Sequence, residues 1–173
     1  PGEVVVAEYG STEVQSYHCD VRAKSALCMF ELIYFARQDS VVDGAAVSKV
    51  REKAGRMLAR RSAVTGDVVL GVPDSGIVGA MGYAHESGIP YELGLMKNRY
   101  IQRTFIESRA WEREKSVRIK LNAISNCVKG KRVIMVDDSI VRGTTSARIV
   151  KLLRDAGAIE VHVKSTAPAF RYP

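Results

Sequence analysis

No run of eighteen consecutive apolar residues occurs in these 173 residues, which excludes a membrane-spanning helix of ordinary length. The opening Pro1-Gly2-Glu3-Val4 has neither the basic start nor the apolar run of a secretory signal. Without an initiating Met it reads as a cut or processed end. Cysteine is scarce: Cys19, Cys28 and Cys127 are odd in number and irregularly spaced. That argues against a disulfide framework and for a reducing compartment, cytoplasmic or, in a plant, plastid. His18, His85 and His162 are isolated and lack metal-ligand spacing. Aromatics make up 7% of the chain, and Trp111, the single tryptophan, lies in a charged stretch with no role to assign. There is no internal repeat and no low-complexity segment. What remains is one soluble domain, long enough to bury a sizeable core.

Charge is present in excess of one sign, with a formal net of +7, so its distribution decides what it means. From Met96 to Lys120 there are eight basic residues (Lys97, Arg99, Arg103, Arg109, Arg113, Lys115, Arg118, Lys120) against three acidic ones (Glu107, Glu112, Glu114). The remaining 18 basic and 16 acidic residues nearly balance. A local basic loop suits a compact polyanion, whereas duplex binding asks for a broad stripe and a groove-reading helix. A solvated charged face is the plainer alternative.

The most informative stretch is Val133-Ile-Met-Val-Asp-Asp-Ser-Ile-Val-Arg-Gly-Thr-Thr-Ser146. Its apolar start, Val133 to Val136, reads as a strand buried on both faces of a parallel sheet. Beyond it, Ile149, Leu152, Leu153 and Ala156 recur at helical spacing and Gly157 is placed to end that helix. Thr144, Thr145 and Ser146 therefore sit at a helix N-terminus, where free backbone N–H groups and the helix dipole favour an anion and Gly143 permits close approach. Asp137 and Asp138 repel one another unless a ribose diol or a bound Mg2+ satisfies them. Acids and anion loop together describe vicinal hydroxyls a few bonds from a monophosphate, which is a ribose 5-phosphate. The alternative is an ordinary strand-turn-helix corner in which Asp138 or Ser139 caps the helix.

Elsewhere Val4 to Ala7 reads as a short strand, and Ala26 to Ala36 as either helix or strand. Val47, Val50, Ala54, Met57 and Leu58 form a helical stripe leading to Gly66. Asp67 to Val72 is a buried strand, Pro73 to Gly76 a turn, Ile77 to Ser87 a helix ending near Gly88, and Pro90 to Leu95 a further strand. The basic loop and a helical stretch then lead to the turn at Gly130, the diagnostic strand with its helix, and a last strand from Glu160 to Ser165. Alternating strands and helices imply an α/β fold, with right-handed crossovers and a parallel sheet covered on both faces. Ligands bind such sheets at the carboxyl ends of the strands, where the turns after Val72 and Val136 both fall.

The segment VIMVDDSIVRGTTS resembles the PRPP-binding signature of the type I phosphoribosyltransferases, in the form carried by the amidophosphoribosyltransferases. CMFELIYFARQDS from Cys28, GVPDSG from Gly71, GIPYELGLMKNRYIQRTFI from Gly88 and GKRVIMVDDSIVRGTTS from Gly130 agree in order, and the resemblance covers nearly the whole chain. It implies that residues 1–173 are a phosphoribosyltransferase domain of type I fold, truncated at the C-terminus. It marks Asp74, Ser75 and Gly76 as a pyrophosphate loop with Ser75 near the metal, adds Ser139 and Arg142 to the PRPP-binding set with Gly143, Thr144, Thr145 and Ser146, and makes KNRYIQRTFI a mobile loop that closes over PRPP.

The reaction so implied converts PRPP and ammonia to 5-phosphoribosylamine and pyrophosphate, the first step of de novo purine synthesis. Leaving-group departure builds positive charge on the ribose and negative charge on pyrophosphate, so catalysis rests on Mg2+ and fixed donors. Asp137 and Asp138 hold the ribose hydroxyls and, with Ser75, the metal, while Lys97 and Arg99 neutralise the departing phosphates. Closure of residues 97–118 excludes water. In the family ammonia comes from an N-terminal glutaminase domain that nothing in these residues replaces, so ammonia-dependent chemistry is expected here. Cys28 stands where cluster-bearing members have an iron-sulfur ligand; the other ligands would lie beyond Pro173, and a buried thiol is the alternative. Gln38 and Ser108 replace prolines usual in the family. Members assemble as dimers and tetramers, and the phosphate loop suits purine nucleotides as inhibitors. Two other classes stand beside the enzyme: a PRPP- or nucleotide-binding regulatory module, and a basic nucleic-acid-binding domain, for which no helix-turn-helix segment is found. Neither nucleic acid nor membrane is an expected partner.

Overall fold

A computed structural model describes residues 2–18, 26–97 and 121–169. The central element is a parallel sheet in the order β5-β8-β9, formed by β5 (Val68–Gly71), β8 (Arg132–Asp137) and β9 (Glu160–Ser165). Val68 pairs with Val133 and Gly71 with Val136; Arg132 pairs with Glu160 and Asp137 with Ser165. Both faces of this sheet are covered, and the alternation of side chains along each strand sorts the residues. Val69, Ile134 and Val136 pack with Ala59 of α1 (Val47–Arg61) and with Ala80, Tyr83 and Ala84 of α2 (Gly76–Ser87). Val68, Leu70, Val133 and Met135 pack on the opposite face, with Val128 of the short α3 (Ser125–Val128) and with Ile149 and Leu153 of α4 (Thr144–Asp155). The β5, β8 and β9 strands, the helix ending at Gly88 and the α4 stripe follow the sequence reading.

The described residues also form three two-stranded antiparallel ribbons. They are β1 (Glu3–Ala7) with β2 (Val14–His18), β3 (Val41–Val42) with β4 (Ala45–Ala46), and β6 (Leu95–Lys97) with β7 (Leu121–Ala123). The strand expected over Pro90 to Leu95 is corrected: only Tyr91 bridges Val69 in parallel, and the regular strand begins at Leu95. The Pro90 carbonyl accepts from the Val69 amide at 2.8 Å and the Glu92 amide donates to the Val69 carbonyl at 3.1 Å, after which the chain leaves β5 and pairs with β7. The segment left open between helix and strand is a single π-helical turn, Glu31–Phe35, that buries none of its own residues.

The α1 stripe also needs correction. Its buried residues are Val47, Arg51, Gly55 and Ala59, whereas Met57 is exposed and Val50, Ala54 and Leu58 are only half-buried. The contact face follows i, i+4 spacing, but its members are a glycine and an arginine as well as apolar residues. Close helix approach selects the glycine, since a Cβ at Gly55 would overlap the Gly79 carbonyl of α2. Among the described residues no helix is long and apolar enough to cross a membrane.

Candidate active site

Two turns leave adjacent parallel strands at the same edge. After β5 the chain turns through Pro73–Ser75 into α2, and after β8 it runs through Asp138 to Gly143 into α4. They lie close enough that the amide of Val72 donates to the Val136 carbonyl at 2.9 Å, and a Cβ on Gly76 would stand 2.7 Å from that same oxygen. Gly76 is therefore needed for the approach of the two turns. It lies beneath the cavity, not among its lining residues.

Both acids are buried, Asp137 at 8% and Asp138 at 6% exposure. Asp138 joins the two turns: the hydroxyl of Ser75 donates to its Oδ2, and the hydroxyl of Ser139 donates to its Oδ1 at 2.7 Å. Its own amide donates to Asp137 Oδ1 at 2.9 Å. Backbone carbonyls of both residues are taken up from beyond β9, by the amides of Thr166 at 3.0 Å and Ala167 at 2.8 Å. The pair is thus fixed from several sides, while its carboxylates face a cavity of about 1120 Å³.

Gly143 enters α4 at φ +71°, a left-handed conformation that a side chain would strain. No side chain caps this helix, which sets aside the capping alternative and leaves the amides of its first turn for a ligand. Ser139, Arg142, Gly143, Thr144, Thr145 and Ser146 all line the cavity, as do Asp74, Ser75, Lys97, Asp137 and Asp138. Lys97 reaches across to Asp74 with Nζ 2.7 Å from Oδ2, so the basic stretch begins at the very turn expected to meet pyrophosphate. Arg99, and the rest of the basic loop from residue 98 to 120, lie outside the described residues. Cys28 is exposed and not part of the cavity wall, so the buried-thiol alternative does not hold for it.

Two features escaped the sequence. One is Arg51, 5% exposed and yet lining the cavity; its pKa is drawn down by burial, with the charge of Asp138 acting in the other direction. The signal was present as a charge in register with Val47 and Gly55 on the inward face of α1. The other is the wall from Tyr34 to Asp39, where Gln38 Nε2 donates to the Asp74 carbonyl at 3.1 Å. No periodicity marks that wall.

Among the described residues no group of three or more His, Cys, Asp or Glu side chains is arranged to hold a metal ion. The buried pair at 137 and 138, with the Ser75 hydroxyl beside it, fits a hard cation that takes most of its oxygens from a phosphorylated ligand and from water, which is the habit of Mg2+.

Burial first, and the neighbouring Asp138 charge second, push the Asp137 carboxyl from its ordinary 3.8 up to about 6, against the Asp138 amide bond, which lowers it. Between these values the native chain holds a proton that the unfolded chain has released. The stability contributed is complete below about pH 4 and is lost as pH rises through about 6. Asp137→Asn, which keeps the acceptor for the Asp138 amide, is expected to be more stable than wild type by about 2–3 kcal/mol at pH 8 and equal to it near pH 4. Urea unfolding at the two pH values checks this; an advantage at pH 4 that disappears at pH 8 contradicts it.

One sheet edge thus carries a buried acid pair and an uncapped helix N-terminus, and the chain belongs to the phosphoribosyl transferase domain family, whose profile matches residues 38–167. Within that family it is 54% identical over its whole length to the amidophosphoribosyltransferase of Pyrococcus horikoshii, of which it covers 37%. It is 52% identical to that of Bacillus subtilis, covering 36%. The solved glutamine phosphoribosylpyrophosphate (PRPP) amidotransferase from B. subtilis, complexed with ADP and GMP, superposes with a TM-score of 0.82 at 53% identity, over 100% of this chain and 38% of that one. The chain thus spans little more than a third of the length of these relatives.

Proposed function

We propose that this chain is the phosphoribosyl-transferring part of an amidophosphoribosyltransferase, which joins ammonia to C1 of PRPP and releases pyrophosphate. The observation that carries the reading is the joining of two ligand turns by one buried carboxylate, Asp138, through Ser75 and Ser139. The full-length identity to relatives of that name supports it. In this proposal the amides and hydroxyls of Gly143–Ser146, with Ser139 and Arg142, hold the 5-phosphate. Asp137 and Asp138 accept from the ribose diol. Asp74, Ser75 and Lys97 take the pyrophosphate, Gly76 serving the close approach of the two turns beneath them and Lys97 exchanging Asp74 for a phosphate oxygen, with Arg99 assigned beside it. Mg2+, when bound with Ser75, Asp137 and Asp138 nearby, supplies neutralisation of the leaving group's charge.

As the C1–O bond to pyrophosphate breaks, the ring carbon becomes electron-poor, and the two acids beneath it favour that charge in a site screened from water. The nitrogen lone pair of ammonia forms the new bond, and the extra proton passes to solvent. No protein nucleophile is required. Supply of ammonia from glutamine belongs to another part of the full-length enzyme. Purine nucleotides are proposed as competitors, because their 5-phosphate presents the same oxyanions to the α4 N-terminus; the relative solved with ADP and GMP is in keeping with this.

The test is pyrophosphate release by the 173-residue chain with PRPP, Mg2+ and concentrated ammonium at alkaline pH. Turnover that rises with ammonium and does not respond to glutamine is expected. Tight PRPP binding with no turnover would show a binding module in its place.

A further inference from the structure

Arg51 is the one charged residue on the buried face of α1, and no carboxylate lies at ion-pair distance from it among the described residues. Its fork is directed to the chain itself: Nε donates to the Leu32 carbonyl and Nη2 to the Ala36 carbonyl, each at 2.9 Å. One of these oxygens lies within the π-helical turn Glu31–Phe35 and the other at its C-terminal cap, where the Ala36 amide closes the turn by donating to the Glu31 carbonyl at 2.9 Å. None of the five side chains is fully buried and only Leu32 and Ile33 are half-buried, so the turn is weakly anchored by packing and hydrogen bonds carry much of its hold. The same turn supplies Tyr34 and Phe35 to the cavity wall, their rings edge to face with centroids 5.2 Å apart. Three residues on, Gln38 holds the Asp74 carbonyl.

From this geometry we infer that Arg51 is a positioning residue: its fork pins the Glu31–Phe35 turn as a wall of the cavity, so that Tyr34 and Phe35 shield the reacting ribose from water and Gln38 steadies the Asp74 turn. The inference rests on the phosphoribosyl-transfer reading for what the wall covers, while the pin itself is independent of it. A planar guanidinium spans two carbonyls in a fixed geometry that an ammonium cannot reproduce. The groups assigned to the 5-phosphate are on another element, the start of α4, and stay in place without it. Losing the pin therefore affects turnover and water exclusion more than ligand capture.

Arg51→Lys keeps the charge without the fork, Arg51→Gln removes the charge as well, and Lys49→Gln on the exposed side of α1 serves as the control. Cooperative urea unfolding establishes that each is folded. Amide hydrogen exchange over residues 31–40 is expected to quicken at least tenfold in both Arg51 variants, with β8 unchanged. In parallel, Arg51→Lys is expected to lower the ammonium-dependent kcat about tenfold or more with the KM for PRPP within threefold. The share of pyrophosphate released without ammonium, which reports attack by water at C1, should rise several-fold. Unchanged exchange over 31–40, or equal losses in kcat and PRPP affinity with an unchanged water share, overturns the inference alone. A wild-type chain that neither binds PRPP nor releases pyrophosphate overturns the proposed function together with this role for the wall.

Discussion

Asp138→Asn is expected to reduce kcat/KM for PRPP by roughly 10²- to 10⁴-fold. The proposed complex places two ribose hydroxyls against the acid pair, and hydrogen bonds to an ionised acceptor are each worth about 1.5–3 kcal/mol when lost. Loss of one such bond, together with loss of the negative charge that favours the electron-poor ring, a contribution of about 2.7–4 kcal/mol or less for a single preorganised group, corresponds to the quoted range at about 1.4 kcal/mol per tenfold. Asparagine is isosteric and still accepts from one of the hydroxyls of Ser75 and Ser139, so the two turns should remain in place and stability should change by no more than about 1 kcal/mol. The decisive comparison is with Asp137→Asn, which is also expected to be impaired in turnover but to gain stability at alkaline pH. Steady-state pyrophosphate release with ammonium, read beside urea unfolding, separates chemical loss from structural loss. Near-normal turnover in Asp138→Asn would remove the acid pair from the mechanism.

Gly55→Ala is expected to cost about 3 kcal/mol of stability. A Cβ there would overlap the Gly79 carbonyl oxygen and stand 2.9 Å from the Tyr83 amide nitrogen. Both obstacles are backbone, so no rotamer change relieves them and the two helices must part. Overpacking of a close-packed contact costs about 1–3 kcal/mol, and more where backbone must shift; alanine's advantage over glycine within a helix returns only about 1 kcal/mol. Gly82 is in the same position against the Glu52 carbonyl, so the α1 and α2 contact is glycine-built from both sides. Because α2 begins at Gly76, separation of the helices also displaces the Ser75 turn, and PRPP affinity should fall with stability. A denaturation midpoint unchanged by Gly55→Ala would mean that the helices do not approach as closely as described.

The anion loop was legible because its signals are local. Four successive apolar residues, paired acids, a glycine and four hydroxyls within fourteen residues specify strand, turn and helix start without reference to anything distant. The strands Val68–Gly71 and Glu160–Ser165 were legible for the same reason. Pro90 to Leu95 was misread because β-forming residues do not disclose which neighbour they pair with: the segment meets β5 only around Tyr91 before it turns to pair with β7. Met57 was misread as inward because periodicity assumes that the largest apolar side chains mark the contact, whereas helix approach over Gly55 demanded the smallest.

The sequence by itself determined the order of elements, the strand-turn-helix corner that carries Asp137 to Ser146, and the concentration of positive charge after Met96, since each of these depends on residues that are neighbours in the chain. Only the tertiary structure decided that Asp138 joins the two ligand turns through Ser75, that Arg51 stands in the cavity wall tied to Leu32 and Ala36, and that Gln38 meets Asp74. Those partners lie between 15 and 63 positions apart. Bonds of that range come from the parallel register of β5 on β8 and the packing of α1 on α2, and no local propensity encodes them.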